Sequence, residues 1–454
     1  MPTHTRTSPS DRTSGPHWGR VALPAPLTAR ARQAADRVAD ALAGPHLLPE
    51  LAARAAAQSD DAVWDGSSLS HGHAGLALLH LYAARAGGGR AAYDRAFAFL
   101  RAAFEHTETE PVPEPGMFGG TSGLALALAD FAADEPRFRP SMDRLHERLA
   151  DQVLAVDRPS GAVADHDYDA INGAAGVLAH QCTVDSPSPR MREATDRTLD
   201  FLLRLSTGDG PPYALAVAPR WYPLDEYRAD YPHGYLNLGL SHGVPGVAGA
   251  LAAALRAGHR APETRTALRG LVDWLLAVRL TDAQGPLWAR GVPLDANGRT
   301  VPNDALPHAH DQLAWCYGTA GVAVALLRAA EALGDDAAGS AAADAFDAVL
   351  RRGPGRGTVL SPTLCHGMAG LVAVCAEFAA SGRSPNAEAA LPSLVGELLA
   401  YAEDDRPLLF ADQDVPGNFV DDPGLLTGAA GVALTLFAVT GRDRPRWFTA
   451  FFLS

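Results

Sequence analysis

The sequence predicts an all-α protein, an α/α toroid of seven helical hairpins. Three observations predict it. A G-x-x-G motif followed at once by Val or Leu and a long apolar, alanine-rich run occurs seven times. Successive first glycines are 48, 53, 70, 75, 49 and 61 residues apart, and the shorter spacings fit two helices and two connections. Amphipathic stretches, with arginine and acids on one face, separate the apolar runs.

The motifs begin at Gly72, Gly120, Gly173, Gly243, Gly318, Gly367 and Gly428. The residues after their second glycines are Leu76, Leu124, Val177, Val247, Val322, Leu371 and Val432. Runs such as 76–84, 124–133, 322–333 and 371–380 read as inner helices buried on most sides. Segments such as 30–43 and 142–156 read as outer helices. Each unit is expected to be an outer helix, a glycine turn and an inner helix, with glycine permitting close approach where the inner helix begins. Seven unequal units with long inserts and no polar capping repeat favour a closed ring over an open solenoid. Two longer spacings carry irregular segments rich in Pro, Gly, Trp and Tyr, at 207–239 and 281–311, expected over one end of the ring. The first is a candidate for a small strand-bearing insert. Residues 1–26 lack an apolar stretch and read as a disordered tail, leaving 27–454 as a single toroid domain.

Composition removes several kinds of chemistry. All 38 basic residues among the 454 are arginine. Without lysine there is no Schiff base, no pyridoxal-phosphate attachment and no P-loop. A net charge of -14 with scattered arginines disfavours nucleic acid. No apolar run approaches a membrane span. Four cysteines are too few for a disulfide scaffold, so a reducing cytoplasm is the simplest compartment.

Aligning polar residues to the repeat gives the candidate site. The position just before the first glycine holds His71, Gly119, Asn172, His242, Tyr317, His366 and Thr427. One position earlier, the fifth and sixth units hold Cys316 and Cys365. In a ring, equivalent positions converge near one end of the axis. Cys316, Cys365 and His366 form a Cys2His set of the kind zinc favours, with a fourth position left open; the plainer alternative is two buried free cysteines. Cys182 and Cys375, inside apolar runs, are expected to be core. His242 is a candidate acid or base, against a histidine hydrogen-bonded to backbone at a helix cap. Asp169 is a candidate carboxylate for orienting a histidine, against an ordinary helix cap. His71 and His73 flank the first motif and are left as ring-lining residues without a role.

These residues resemble the lanthionine synthetase C-like peptide cyclases, including the standalone class I enzymes. The resemblance runs from about Ser70 to Gly431 and is most specific at Trp315-Cys-Tyr-Gly318, Cys365-His-Gly367, Asn237-Leu-Gly-Leu-Ser-His-Gly243 and Asp169-Ala-Ile-Asn-Gly173. It implies an α/α toroid with one zinc on Cys316, Cys365 and His366. It also implies a reaction, addition of a peptide cysteine thiol to dehydroalanine or dehydrobutyrine to form a thioether ring, with His242 as the acid for the α-carbon or the base for the thiol and Asp169 orienting His242 or a nearby donor. The implied partners are a dehydrated precursor peptide, a separate dehydratase and a transporter, within a cytoplasmic protein that can associate with a membrane-bound complex. One position departs: such proteins commonly carry arginine four residues before the first zinc cysteine, where this chain has Gln312, with Arg290 as a weak substitute. The alternative functions are a non-catalytic zinc- or thiol-binding scaffold and, well behind, a zinc toroid of the prenyltransferase type, which would need basic diphosphate contacts.

Overall fold

The computed structural model describes residues 18–454 except 60–61, 208–209, 223, 302–311, 356 and 414. The glycine motifs start the seven inner helices: α3 (His73–Ala83), α5 (Thr121–Asp134), α8 (Ala174–Gln181), α11 (Val244–Arg256), α13 (Thr319–Leu333), α15 (Met368–Ser381) and α17 (Ala429–Thr440). In all seven, the first glycine of the motif is the N-cap. The inner helices have few exposed faces; in α15 every residue but Ser381 is buried. The outer helices are α1 (Ala25–Ala41), α4 (Gly89–Thr109), α6 (Arg139–Ala155), α9 (Pro189–Ser206), α12 (Ala261–Ala277), α14 (Asp336–Arg351) and α16 (Pro385–Leu399). Three shorter helices, α2 (Leu48–Gln58), α7 (Asp165–Tyr168) and α10 (Tyr227–Asp230), lie in the connections.

The inner helices touch in the order α3, α5, α8, α11, α13, α15, α17 and back to α3, so the ring closes. The pairing within hairpins differs from the expected unit. Among the outer helices, each inner helix packs most extensively on the one that follows it, and α17, the last, packs on α1 from the start of the chain. Arg32 of α1 fastens this seam, donating to the carbonyls of Ala86 and Thr440, both at 2.8 Å.

The C-terminal turn of 3-10 helix, Arg446–Phe451, enters the ring from the end where the inner helices finish. The Arg446 N–H donates to the Tyr82 hydroxyl near the end of α3. Farther in, Phe451 packs against Phe118 and Trp315, and the Trp315 indole donates to the Phe451 carbonyl at 2.8 Å. Trp18 packs against Phe448 of this plug and is buried. The expected tail to residue 26 is therefore corrected over 18–26: burial of Trp18 and Val21 and the start of α1 at Ala25 tie this stretch to the core. Residues 1–17 lie outside the described residues.

The two inserts meet. Strand β1 (Tyr235–Asn237) pairs antiparallel with β4 (Gly291–Pro293), and β2 (Leu280–Asp282) forms a hairpin with β3 (Gly285–Leu287). The 207–239 insert thus carries one strand, with Val217 bridged to Tyr235, and finds its main partner in the second insert. Among the described residues no helix is long and apolar enough to cross a membrane.

At the end where the inner helices begin, backbone hydrogen bonds join the seven turns into a closed belt. The carbonyl two residues before each motif accepts from the neighbouring turn. Leu69 and Ser70 donate to Phe118, Met117 and Phe118 to Ile171, Ala170 to Ser241, and Ser241 to Cys316. Cys316 then donates to Cys365, Cys365 to Leu426, and Leu425 and Leu426 back to Ser70, with all these bonds between 2.6 and 3.3 Å. The second motif glycine makes the belt possible. A Cβ on Gly370 would overlap the Leu364 carbonyl oxygen, three residues before the motif, and the same overlap recurs at the other six second glycines. Gly318 alone among the capping glycines has φ in the left-handed range, at 100°, where a side chain would be strained.

Candidate functional site

The belt explains why residues far apart in sequence meet. Cys316 and Cys365 hold equivalent positions on adjacent links, and the Cys316 N–H donates to the Cys365 carbonyl at 3.1 Å. Their thiols are also within hydrogen-bonding reach. The Cys316 thiol is held below the usual thiol range by its hydrogen bond with Cys365, opposed by burial and helped by nearby His366 and His242. His366 follows Cys365 and sets its Nε2 2.8 Å from Oδ1 of Asp412. Oδ1 of Asp412 also accepts from the Ser361 hydroxyl at 2.6 Å and the Gln413 N–H at 2.8 Å. The imidazole is thereby oriented by a carboxylate that other donors fix in place.

His242 stands on the link beside Cys316. Its Nδ1 lies 2.6 Å from Oδ2 of Asp169. Oδ1 of the same carboxylate accepts the backbone N–H groups of Ile171, Asn172 and Gly173 at 2.7–3.1 Å. Asp169 is not the cap of α8, which is Gly173; one of its oxygens holds the turn that leads into the helix and the other faces the imidazole. Asp169 is 1% exposed, whereas the His242 side chain is 37% exposed. Burial opposes charge on His242, but the Asp169 hydrogen bond and carboxylate outweigh it and raise its pKa. The Tyr317 ring lies beside His242 at 6.4 Å between centroids, and the Tyr317 hydroxyl accepts from Asn237 at 3.1 Å.

The structure separates the two histidines of the first motif. His73 packs between Trp64 and Phe99, away from the belt, and burial lowers its pKa to about 4. His71 faces the seventh turn, with Nε2 2.6 Å from the Thr427 hydroxyl and 3.1 Å from Oδ2 of Asp422. Asp412 carries no repeat signal that marks it as a histidine partner. Asp422 carries a weak one: Asn237, Ser361 and Asp422 all stand six residues before a motif, and each accepts the N–H two residues on. Gln312 occupies the same register in the fifth unit and is exposed. Arg290 lies over the Tyr227 ring at 5.3 Å and is half-buried. Cys375 is core, donating to the Ala387 carbonyl. Cys182 caps the end of α8, its thiol pushed up to about 12 by burial.

Among the described residues no group of three or more His, Cys, Asp or Glu side chains is assembled to hold a metal ion. What the turns bring together is a thiol pair, with an imidazole–carboxylate pair on each side of it.

The nisin biosynthesis protein NisC of Lactococcus lactis subsp. lactis is 24% identical over 266 residues, a match spanning 58% of this chain and 62% of that protein. The solved structure of nisin cyclase superposes with a TM-score of 0.72 at 19% identity, covering 89% of this chain and 97% of that one, and shares the fold. The profile of the lanthionine synthetase C-like proteins matches residues 63–453, through all seven turns and into the C-terminal plug. The chain belongs to that family.

Proposed function

We propose that this protein is a peptide cyclase that adds a cysteine thiol of a precursor peptide to a dehydroalanine or dehydrobutyrine of the same peptide, forming a lanthionine or methyllanthionine ring. The observation that carries the reading is the thiol pair on adjacent links of the belt, beside an imidazole held by a buried carboxylate.

Cys316, Cys365 and His366 would hold a zinc ion, and two thiols with an imidazole match its donor preference. Bound there, zinc would lower the pKa of the substrate thiol and keep the sulfur nucleophilic. The Asp412 carboxylate fixes the His366 ring and favours its basic form. His242, held by Asp169 and open on its other side, moves a proton at the reacting atoms. As the S–Cβ bond forms, charge builds on the amide beside the α-carbon and is discharged when a Cα–H bond forms. No atom leaves and nothing is oxidised, so the product has the mass of the substrate. The proposed partners are a dehydrated precursor peptide from a separate dehydratase and a transporter, and the proposed location is the cytoplasm, with docking to a membrane-bound complex.

A second reading, a zinc- or thiol-binding scaffold without turnover, is favoured by Gln312, which is exposed and brings no charge. Thiol counting separates the two. A peptide with one dehydroalanine and one cysteine is incubated with zinc-loaded protein, and remaining thiol is alkylated. Loss of alkylatable thiol above the uncatalysed rate, at unchanged mass, supports the cyclase; persistence at the uncatalysed rate defeats it.

A further inference from the structure

The belt carries a second imidazole paired with a buried carboxylate, which the chemistry above leaves unused. We propose that His71 is the second proton-transfer residue of this site, delivering the proton to the substrate α-carbon while His242 takes the proton of the thiol. This role rests on the cyclase reading.

Position is the first argument. His71, His242 and His366 all stand immediately before a motif, one residue beyond the belt carbonyls. Along the belt, His242 is one link before Cys316, and His71 is two links beyond Cys365. The two imidazoles therefore flank the thiol pair from opposite directions. Asp412, which holds His366, also acts electrostatically on His71, so the sixth and first turns share one polar wall.

The second argument is how His71 is held. Its Nε2 donates to the Thr427 hydroxyl, which in turn donates to Oδ2 of Asp422 at 2.7 Å. Oδ1 of Asp422 accepts the Gly424 N–H at 2.6 Å. The carboxylate is thus satisfied by Thr427 and Gly424, and the first turn is already joined to the seventh by backbone bonds from Leu425 and Leu426 to Ser70. Neither the carboxylate nor the turn needs the imidazole as a fastener. What Asp422, 3% exposed, adds is stabilisation of the charged ring. Burial opposes that charge most strongly of any one influence, and the Asp422 hydrogen bond together with the charges of Asp422 and Asp412 outweighs it. The other ring nitrogen, Nδ1, makes no hydrogen bond among the described residues, and the side chain is 16% exposed.

The third argument is the reaction. Adding S–H across Cα=Cβ breaks the S–H bond and the π bond and forms S–Cβ and Cα–H. The proton leaves at sulfur and arrives at carbon, two atoms apart, and the face of arrival sets the configuration at Cα. Two imidazoles on separate flanks divide these tasks. The cycle starts with His242 neutral and His71 protonated and ends with the two reversed, and exchange with water restores both.

The test compares wild type with His71→Asn and Asp422→Asn on the dehydroalanine peptide, reading ring-closure rate, zinc content and the ratio of the two Cα diastereomers. His71→Asn is expected to slow closure about 100-fold, with zinc unchanged and a single diastereomer replaced by a mixture. Asp422→Asn should change both quantities in the same direction and less. A merely structural loss would lower the active fraction without altering the ratio. An unchanged rate and ratio in folded His71→Asn, or a lowered rate with the wild-type ratio, overturns the role of His71 alone. A wild type that closes no ring overturns the cyclase reading and this role with it.

Discussion

Asp169 and His242 come from neighbouring hairpins, 73 residues apart, and meet at 2.6 Å. The bond works because the other carboxylate oxygen is pinned by three backbone N–H groups, leaving Oδ2 one direction in which to point. Asp169→Asn keeps an acceptor for the turn but loses the charge that stabilises the imidazolium formed when His242 takes a proton. We expect ring closure to fall about 100-fold, with the urea midpoint moved little. Asp169→Ala should add a loss of about 1–3 kcal/mol from the turn N–H groups left without their acceptor. Thiol counting and urea unfolding on both variants check this.

The histidines give stability a two-sided pH dependence. His71 and His242 have raised pKa values in the folded protein, so their contribution is complete below the unfolded value of about 6.5 and is lost as pH rises through the folded values. His73 and His80 are held down to about 4, and His180 to about 3, by burial. They act oppositely, costing stability as pH falls from about 6.5 toward those values. Urea midpoints of the metal-free protein should peak near pH 6.5 and decline on both sides. His71→Asn should flatten the alkaline limb only; an unchanged alkaline limb would contradict the assignment.

Zinc content should follow the thiol pair. Wild type is expected to bind about one zinc per chain, and Cys316→Ala/Cys365→Ala to bind none, by elemental analysis after dialysis. Cys375→Ala removes a thiol bonded to a carbonyl in the core and should leave the zinc unchanged.

Two glycines of similar appearance should respond oppositely. Gly370→Ala drives a methyl onto the Leu364 carbonyl and should cost about 1–3 kcal/mol or more. Gly270, within α12, has open space around its Cα, and Gly270→Ala should gain about 0.5–1 kcal/mol of helix propensity. Urea unfolding of the pair measures both signs.

Most of this architecture is legible in the chain because the repeat is a packing rule. Seven glycine motifs mark seven inner-helix starts, since a carbonyl must pass where a Cβ would sit. Alignment to the motif also brings out Cys316, Cys365, His366 and His242, because the belt makes sequence position equivalent to angular position. Asp422 shows in the alignment only as a turn acceptor six residues before the last motif, and Asp412 escapes it. Asp412 reaches His366 from an irregular segment whose path depends on its single bridge to Val420. The pairing of α1 with α17 is hidden for a different reason: any seam would satisfy the local periodicity, and only three-dimensional closure decides which outer helix serves the last inner one. The aromatic plug at 446–451 reads as a short apolar ending, and nothing local says that it turns back into the ring.

The cost of joining the ends is small. Six of the belt links join turns 48 to 75 residues apart, whereas the seventh joins turns whose facing residues, His71 and Thr427, are separated by 356. Loop-closure entropy grows only with the logarithm of length, so that last link costs roughly 1.5 kcal/mol more than the others. Against it stand the contacts of α17 with α1 and α3 and the backbone bonds at Ser70. An open seven-unit arc would leave two apolar faces in water, so partly closed species should be sparsely populated and the ring should open and shut as a unit.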